Sequence, residues 1–141
     1  MIDTSRVRAR LALLARYRRR LAGLRDLPRD SYLRDHDLEG RYALQAAAQI
    51  CIDLANHVIV ANAWEPARDF RDSFTRLEEH GLLDGGLAER LRALAGQRNR
   101  LVHLYDDVDD SLVQDNLATG LDDLDDFARV IAGLAGREPS P

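Results

Sequence analysis

The segment Arg98-Asn99-Arg100-Leu101-Val102-His103-Leu104-Tyr105 gathers two arginines, an asparagine, a histidine and a tyrosine into eight residues, with three aliphatic residues to anchor them. Such groups suit cleavage of an RNA backbone by its own 2′-hydroxyl. An imidazole removes the hydroxyl proton, a proton donor assists the departing 5′-oxygen, and a guanidinium binds the charged phosphoryl oxygens through paired hydrogen bonds. On a helix Asn99 and His103, four apart, share a face, as do Arg98 and Tyr105 at seven apart. Arg98 and His103, five apart, point about 140° from each other. They converge on one phosphate if the helix ends or distorts here, or if a second copy of the chain faces the first. Gly96 just upstream permits such an irregularity or a close backbone approach. One chain has a single histidine in this cluster, so two-fold pairing would complete an acid–base set. By composition alone, an Arg-rich helix with one histidine fits a solvated face as well.

The elements that must carry this segment read as helices almost throughout. Leu, Ala and Arg dominate, interior proline is scarce and no sustained alternation suggests a strand. A first helix is expected over 4–25, with Val7, Leu11, Leu14 and Leu21 at three- and four-residue spacing. Residues 26–37, containing Pro28, break it. A second helix over 38–63 has the broadest apolar face, including Leu44, Ala47, Cys51, Leu54 and Val58, which makes it the central core helix. Pro66 suits the first turn of a third helix ending near His80, where Gly81 followed by Leu82 matches a glycine cap with its apolar partner. Asp84 can cap a fourth helix reaching Tyr105, and Asp109, Asp110 or Ser111 can start a fifth. Residues 137–141 read as a disordered tail. The expected fold is all-α, an antiparallel bundle of four to five helices in one domain spanning 1–141.

Charge is unevenly placed around the net −4. Residues 1–25 hold eight Arg against one acid, and residues 106–126 hold nine Asp and no base. Either a local basic surface binds nucleic acid or the two blocks neutralise each other across the fold or between subunits. Cys51 is the lone cysteine, so no intrachain disulfide exists. No apolar run approaches the ~18 residues of a membrane span, and no signal segment is seen; the expected location is the cytoplasm. Arg41, Gln45, Gln49, Asp53 and His57 recur every four residues on the second helix. Asp53 and His57 fit a supporting role behind the cleft or a dimer surface, and equally an internally paired face. Two ligands are too few for a metal, and His36 and His80 have no supporting spacing, so neither metal nor cofactor is expected. Trp64, Phe70 and Phe74 read as packing residues.

The Arg98–Tyr105 segment resembles the motif of the HEPN superfamily, an Arg, four to six residues, then His, often with a polar residue after the Arg. It is most similar to the HepT branch, whose pattern is Arg-x4-His-x-Tyr; Arg98, His103 and Tyr105 fit that spacing, with Asn99 as the polar neighbour. The stretch from Arg41 to Gln45 through Asp53 to His57 also resembles the family's second helix. So do Leu77 to Gly81 and Asp106 to Asp110.

The resemblance implies a HEPN-type homodimer with metal-independent endoribonuclease activity, catalysed by Arg98 and His103, with Asn99 shaping the site and Arg100 supporting it. It further implies a toxin of a type II or type VII-like toxin–antitoxin pair, acting on transfer or messenger RNA. The partner would be a cognate nucleotidyltransferase (MNT-type) antitoxin that adenylylates Tyr105. Adenylyl groups there would block a phosphate-binding cleft by bulk and negative charge. Asp106 and Asp107 read as helix-end solvation or as a contact for that transferase. The alternative is a HEPN adaptor without catalysis, or a nucleotide-binding partner of such a transferase.

Overall fold

The computed structural model describes residues 1–137. Five long helices follow one another: α1 (Thr4–Arg25), α2 (Arg29–Ala61), α3 (Phe70–Glu79), α4 (Gly85–His103) and α5 (Asp110–Arg137). The tail expected over 137–141 lies outside the described residues except for Arg137, which closes α5.

Caps account for most of the boundaries. The Asp3 carboxylate accepts the amide of Arg6 at the start of α1, and Asp84 accepts that of Leu87 at the start of α4, each satisfying a first-turn donor. α3 begins at Phe70 and not at Pro66, because the Asp69 side chain accepts the Asp72 amide at 2.8 Å and so defines the first turn. Its far end is the expected glycine cap. Gly81 is left-handed at φ 77°, and the Leu82 amide returns to the Leu77 carbonyl at 2.9 Å.

The second helix starts earlier than the pattern suggested. Pro28 stands immediately before Arg29, and the chain runs helically from there, through one π-helical turn at Tyr32–His36, into Asp37–Ala61. Tyr32 is completely buried. Its hydroxyl lies where a β-carbon on Gly40 would be, so the glycine makes room for the ring. The phenol has no hydrogen-bond partner. Burial, with Asp110 and Asp37 nearby, pushes its pKa up to about 12, which keeps it neutral. Gly40→Ala is therefore expected to lower stability by about 1–3 kcal/mol through overpacking. Tyr32→Phe in the same background, read by urea denaturation, should recover much of the loss, because it removes the overlapping and unpaired oxygen.

α2 is the central element, packed against α1, α3, α4 and α5, while α1 also lies along α5 and α3 along α4. By length and composition α2 could cross a membrane, which the sequence reading did not foresee. In this fold 61% of its most apolar window is buried inside the bundle, and the buried face carries Leu44, Ala47, Cys51, Leu54 and Val58. The charge asymmetry resolves partly as neutralisation across the fold. Arg18 of α1 makes a two-pronged pair with Asp125 of α5 at 3.1 and 3.0 Å. That is the one pair between the two blocks among the described residues; the acidic block is also met from α2, where Arg29 reaches Asp115 and Arg41 reaches Asp110. Buried Gln114 adds a neutral tie, donating to the carbonyls of Leu24 and Leu27 at the end of α1.

Candidate active site at the end of the fourth helix

The helix carrying the polar segment stops at His103. Leu104 leaves helical geometry at φ −127° and ψ 38°, and a single 3₁₀ turn, Tyr105–Asp107, follows. Tyr105 is thus not on the helical face of Arg98, as an unbroken helix would have made it, but on a separate turn beyond the end. Asn99 and His103 remain one turn apart on the last coil of α4. The imidazole of His103 is exposed, and so are Leu104 and Tyr105, at 52% and 60%.

Arg98 is held differently. It is half-buried, its Nη1 donates to the Asn99 side-chain oxygen at 3.1 Å, and its guanidinium lies 5.0 Å over the ring of Phe70 at the start of α3. The Asn99 contact and the aromatic ring together fix where the guanidinium sits. The Arg98 Nε is buried with no protein partner. A buried donor without an acceptor is costly, and a bound anion is the kind of group that satisfies it. Arg100, the next arginine, is exposed.

The turn bearing Tyr105 is clamped from α2. Arg41 makes a two-pronged contact with Asp110 at 2.8 and 2.7 Å and donates a further hydrogen bond to the Tyr105 carbonyl at 2.9 Å. Both partners of this pair are largely buried, so it pins α2, the turn and the start of α5 together. In the sequence Arg41 opened a polar stripe and a stretch resembling the family's second helix, and neither signalled this clamp.

The other end of that stripe faces α1. Gln49 donates to Asp53 at 2.9 Å, and the His57 Nε2 accepts the Asp3 amide at 3.0 Å, just before α1 begins. Asp53 and His57 line a small recess with Arg6, Val7 and Arg10. Their recorded partners lie in α1, α2 and the segment before α1, with none in α4. Asp53 and His57 make no recorded hydrogen bond with each other: Asp53 is taken up by Gln49 within α2, and His57 seats the segment before the first helix. Burial and the nearby Arg6 hold the His57 pKa below the ordinary histidine range, so the folded state favours neutral imidazole. The associated stability is complete above the unfolded value of about 6.5 and is lost as pH falls through that value toward the depressed one. Denaturant midpoints of the unmodified chain should accordingly drop between pH 7.5 and pH 5.5 more than those of His57→Gln, which can still accept the Asp3 amide but does not titrate.

A helical bundle that ends one helix on an arginine and a histidine five residues apart, with a tyrosine just beyond, defines a HEPN-type domain. The chain belongs to the ribonuclease HepT-like family, matched over residues 14–131. Among its relatives, an mRNA nuclease HepT from Shewanella oneidensis is 33% identical over 88 residues, covering 62% of this chain and 66% of that protein. A tRNA nuclease HepT from Aphanizomenon flos-aquae is 30% identical over 109 residues, covering 76% of this chain and 74% of that one. Among solved structures, the tri-AMPylated HEPN toxin of Shewanella oneidensis in complex with an MNT antitoxin superposes with a TM-score of 0.82 at 27% identity. That match covers 94% of this chain and 99% of the toxin.

Proposed function

We propose that this protein is a metal-independent endoribonuclease toxin, that Arg98 and His103 carry the reaction, and that two copies of the chain form the cleft. The observation that carries the proposal is the arrangement of arginines. Among the described residues, Arg6, Arg8, Arg10, Arg16 and Arg19 of α1 are in no recorded ion pair; from α2 to Arg129 every arginine except three is in one. The three are Arg98 and Arg100 on α4 and Arg71, whose guanidinium lies against Gly96 of the same helix. In a chain of net charge −4, uncompensated positive charge gathered beside an exposed imidazole favours a phosphodiester substrate.

The chemistry follows from the groups present. The neutral His103 imidazole takes the proton of a ribose 2′-hydroxyl as that oxygen bonds to phosphorus. The guanidinium of Arg98 hydrogen-bonds the non-bridging oxygens as negative charge builds on them. The bond from phosphorus to the 5′-oxygen breaks, and that oxygen takes a proton from an imidazolium, supplied by His103 of the second copy. The products are a 2′,3′-cyclic phosphate and a 5′-hydroxyl, so no water or metal enters this step. Exposed apolar residues support self-association near the motif. Leu104, Tyr105 and Leu112 are each more than half exposed, as are Leu38 and Tyr42 on either side of Arg41, and such surface is a common basis for association.

Regulation follows from the position of Tyr105. Its ring stands in solvent on a turn whose backbone is clamped by Arg41, so the hydroxyl is presented without competing contacts. Adenylylation there by a nucleotidyltransferase antitoxin places phosphate charge beside the cations that RNA needs. An RNA substrate and a nucleotidyltransferase partner both fit a cytoplasmic protein, which is the location this reading implies. The test is incubation of the purified chain with RNA in EDTA, followed by analysis of the ends. Cyclic phosphate with 5′-hydroxyl ends is expected; intact RNA, or 5′-phosphate ends, would contradict the proposal.

A further inference from the structure

The sequence contains no hint of Arg71, which lies on another helix, 27 positions before Arg98. In the fold its guanidinium occupies the notch left by Gly96. A β-carbon at that position would overlap the Nη2 atom and stand 2.8 Å from Cζ. Gly96 is itself buried, and the arginine crosses the helix backbone there because no side chain is in the way. On α4, residue 96 is three before Asn99, four before Arg100 and seven before His103, spacings that share one helical face. The level of Arg71 is thus about 10 Å along the axis from His103, at ~1.5 Å per residue, with Arg100 between them.

Gly96 and Arg100 of this face, with Gln97 and Arg71, line a cleft of about 520 Å³ between α4 and α5; Asn99 and His103 lie beyond its lining, toward the helix end. Two acids on its walls are engaged elsewhere: Asp123 pairs with Arg90 at 2.7 Å, and Asp109 accepts the amides of Ser111 and Leu112 as the cap of α5. Arg71 and Arg100 are exposed and make no ion pair among the described residues, leaving Asp107 as the one lining carboxylate without a recorded partner.

We infer that Arg71, seated in the Gly96 notch and followed by Arg100, binds backbone phosphates of the RNA strand next to the scissile one, so that the strand runs along α4 toward His103. The inference rests on RNA being the substrate. Backbone phosphates suit it because two guanidiniums spaced along a helix, with no aromatic platform between them, neutralise charge without reading bases. A strand laid there would be positioned by these contacts and cut at the helix end.

The experiment measures binding of a single-stranded RNA to the His103→Ala chain as a function of salt, while cleavage by the unmutated chain is scored separately. Adding Arg71→Gln should reduce the slope of log affinity against log salt by about 0.7, the increment for one single-strand phosphate contact. In the cleaving chain, Arg71→Gln should raise KM more than it lowers kcat. Gly96→Ala, which keeps the charge but fills the notch, should weaken RNA binding in the same direction. An unchanged slope with Arg71→Gln overturns the inference. So does an equal reduction in the control Arg34→Gln, which would mean a general charge effect and no site. Cleavage by the unmutated chain together with either of those outcomes leaves the nuclease proposal standing, whereas absence of cleavage sinks that proposal whatever the slopes show.

Discussion

Replacing His103 with alanine is expected to reduce RNA cleavage by about 10²–10⁴-fold, the range for loss of a general acid or base, while leaving the fold intact. The upper part of the range applies if two copies supply two imidazoles, because one substitution then removes both the base and the acid. The separation from stability comes from burial. His103 is exposed at the last residue of α4, with no recorded side-chain partner. Surface substitutions of that kind stay within about 0.5 kcal/mol. Urea midpoints within that margin, beside a near-complete loss of cleavage, are the expected pair of results. Retained cleavage would remove His103 from the chemistry.

Arg98→Ala should lower cleavage at saturating RNA by about 10²–10³-fold, the usual cost of removing one donor to a developing oxyanion. Some stability should go with it, since the half-buried guanidinium also packs over Phe70. A cation–π contact of this kind is worth about 0.5–2 kcal/mol. Arg98→Lys is the sharper variant. Lysine keeps the charge but not the planar fork, and the unpaired Nε together with the Nη1 already committed to Asn99 indicates that the fork's geometry matters. The lysine form should therefore stay well below the unmutated rate. Full rescue by lysine would mean that Arg98 supplies only a positive charge.

How far this was legible in the sequence depends on whether the signal is local. Capping at Asp84 and the Gly81–Leu82 ending lie within a few residues of the helix ends they set, and both read correctly. The start of α2 did not. Residues 29–36 are mostly polar, and only Tyr32 among them is buried, so no apolar period marks the π-helical turn. At α3 two local signals competed, Pro66 and Asp69, and the one with a side chain able to accept an amide won. For the proposed site, the Arg98, Asn99 and His103 spacing picked out one segment of one helix, and it was the resemblance to the HEPN motif, not the spacing by itself, that favoured chemistry over a solvated face. Tyr105 was assigned to that helix because nothing in Leu104 announces the break. The contacts that Phe70, Arg71 and Arg41 make with this segment come from neighbouring helices, and spacing within a segment carries no trace of them.

In the proposed nuclease, His103 and Arg98 meet around one phosphodiester in a cleft made by two chains. A crystal structure with an RNA whose 2′-hydroxyls are methylated, and which therefore binds without being cut, tests it most directly. One phosphate is expected with an Arg98 guanidinium nitrogen and an imidazole of each His103 within hydrogen-bond reach, about 2.6–3.2 Å, or one water away. A single chain bound to RNA elsewhere, or a pair whose α4 ends point away from each other, would contradict it.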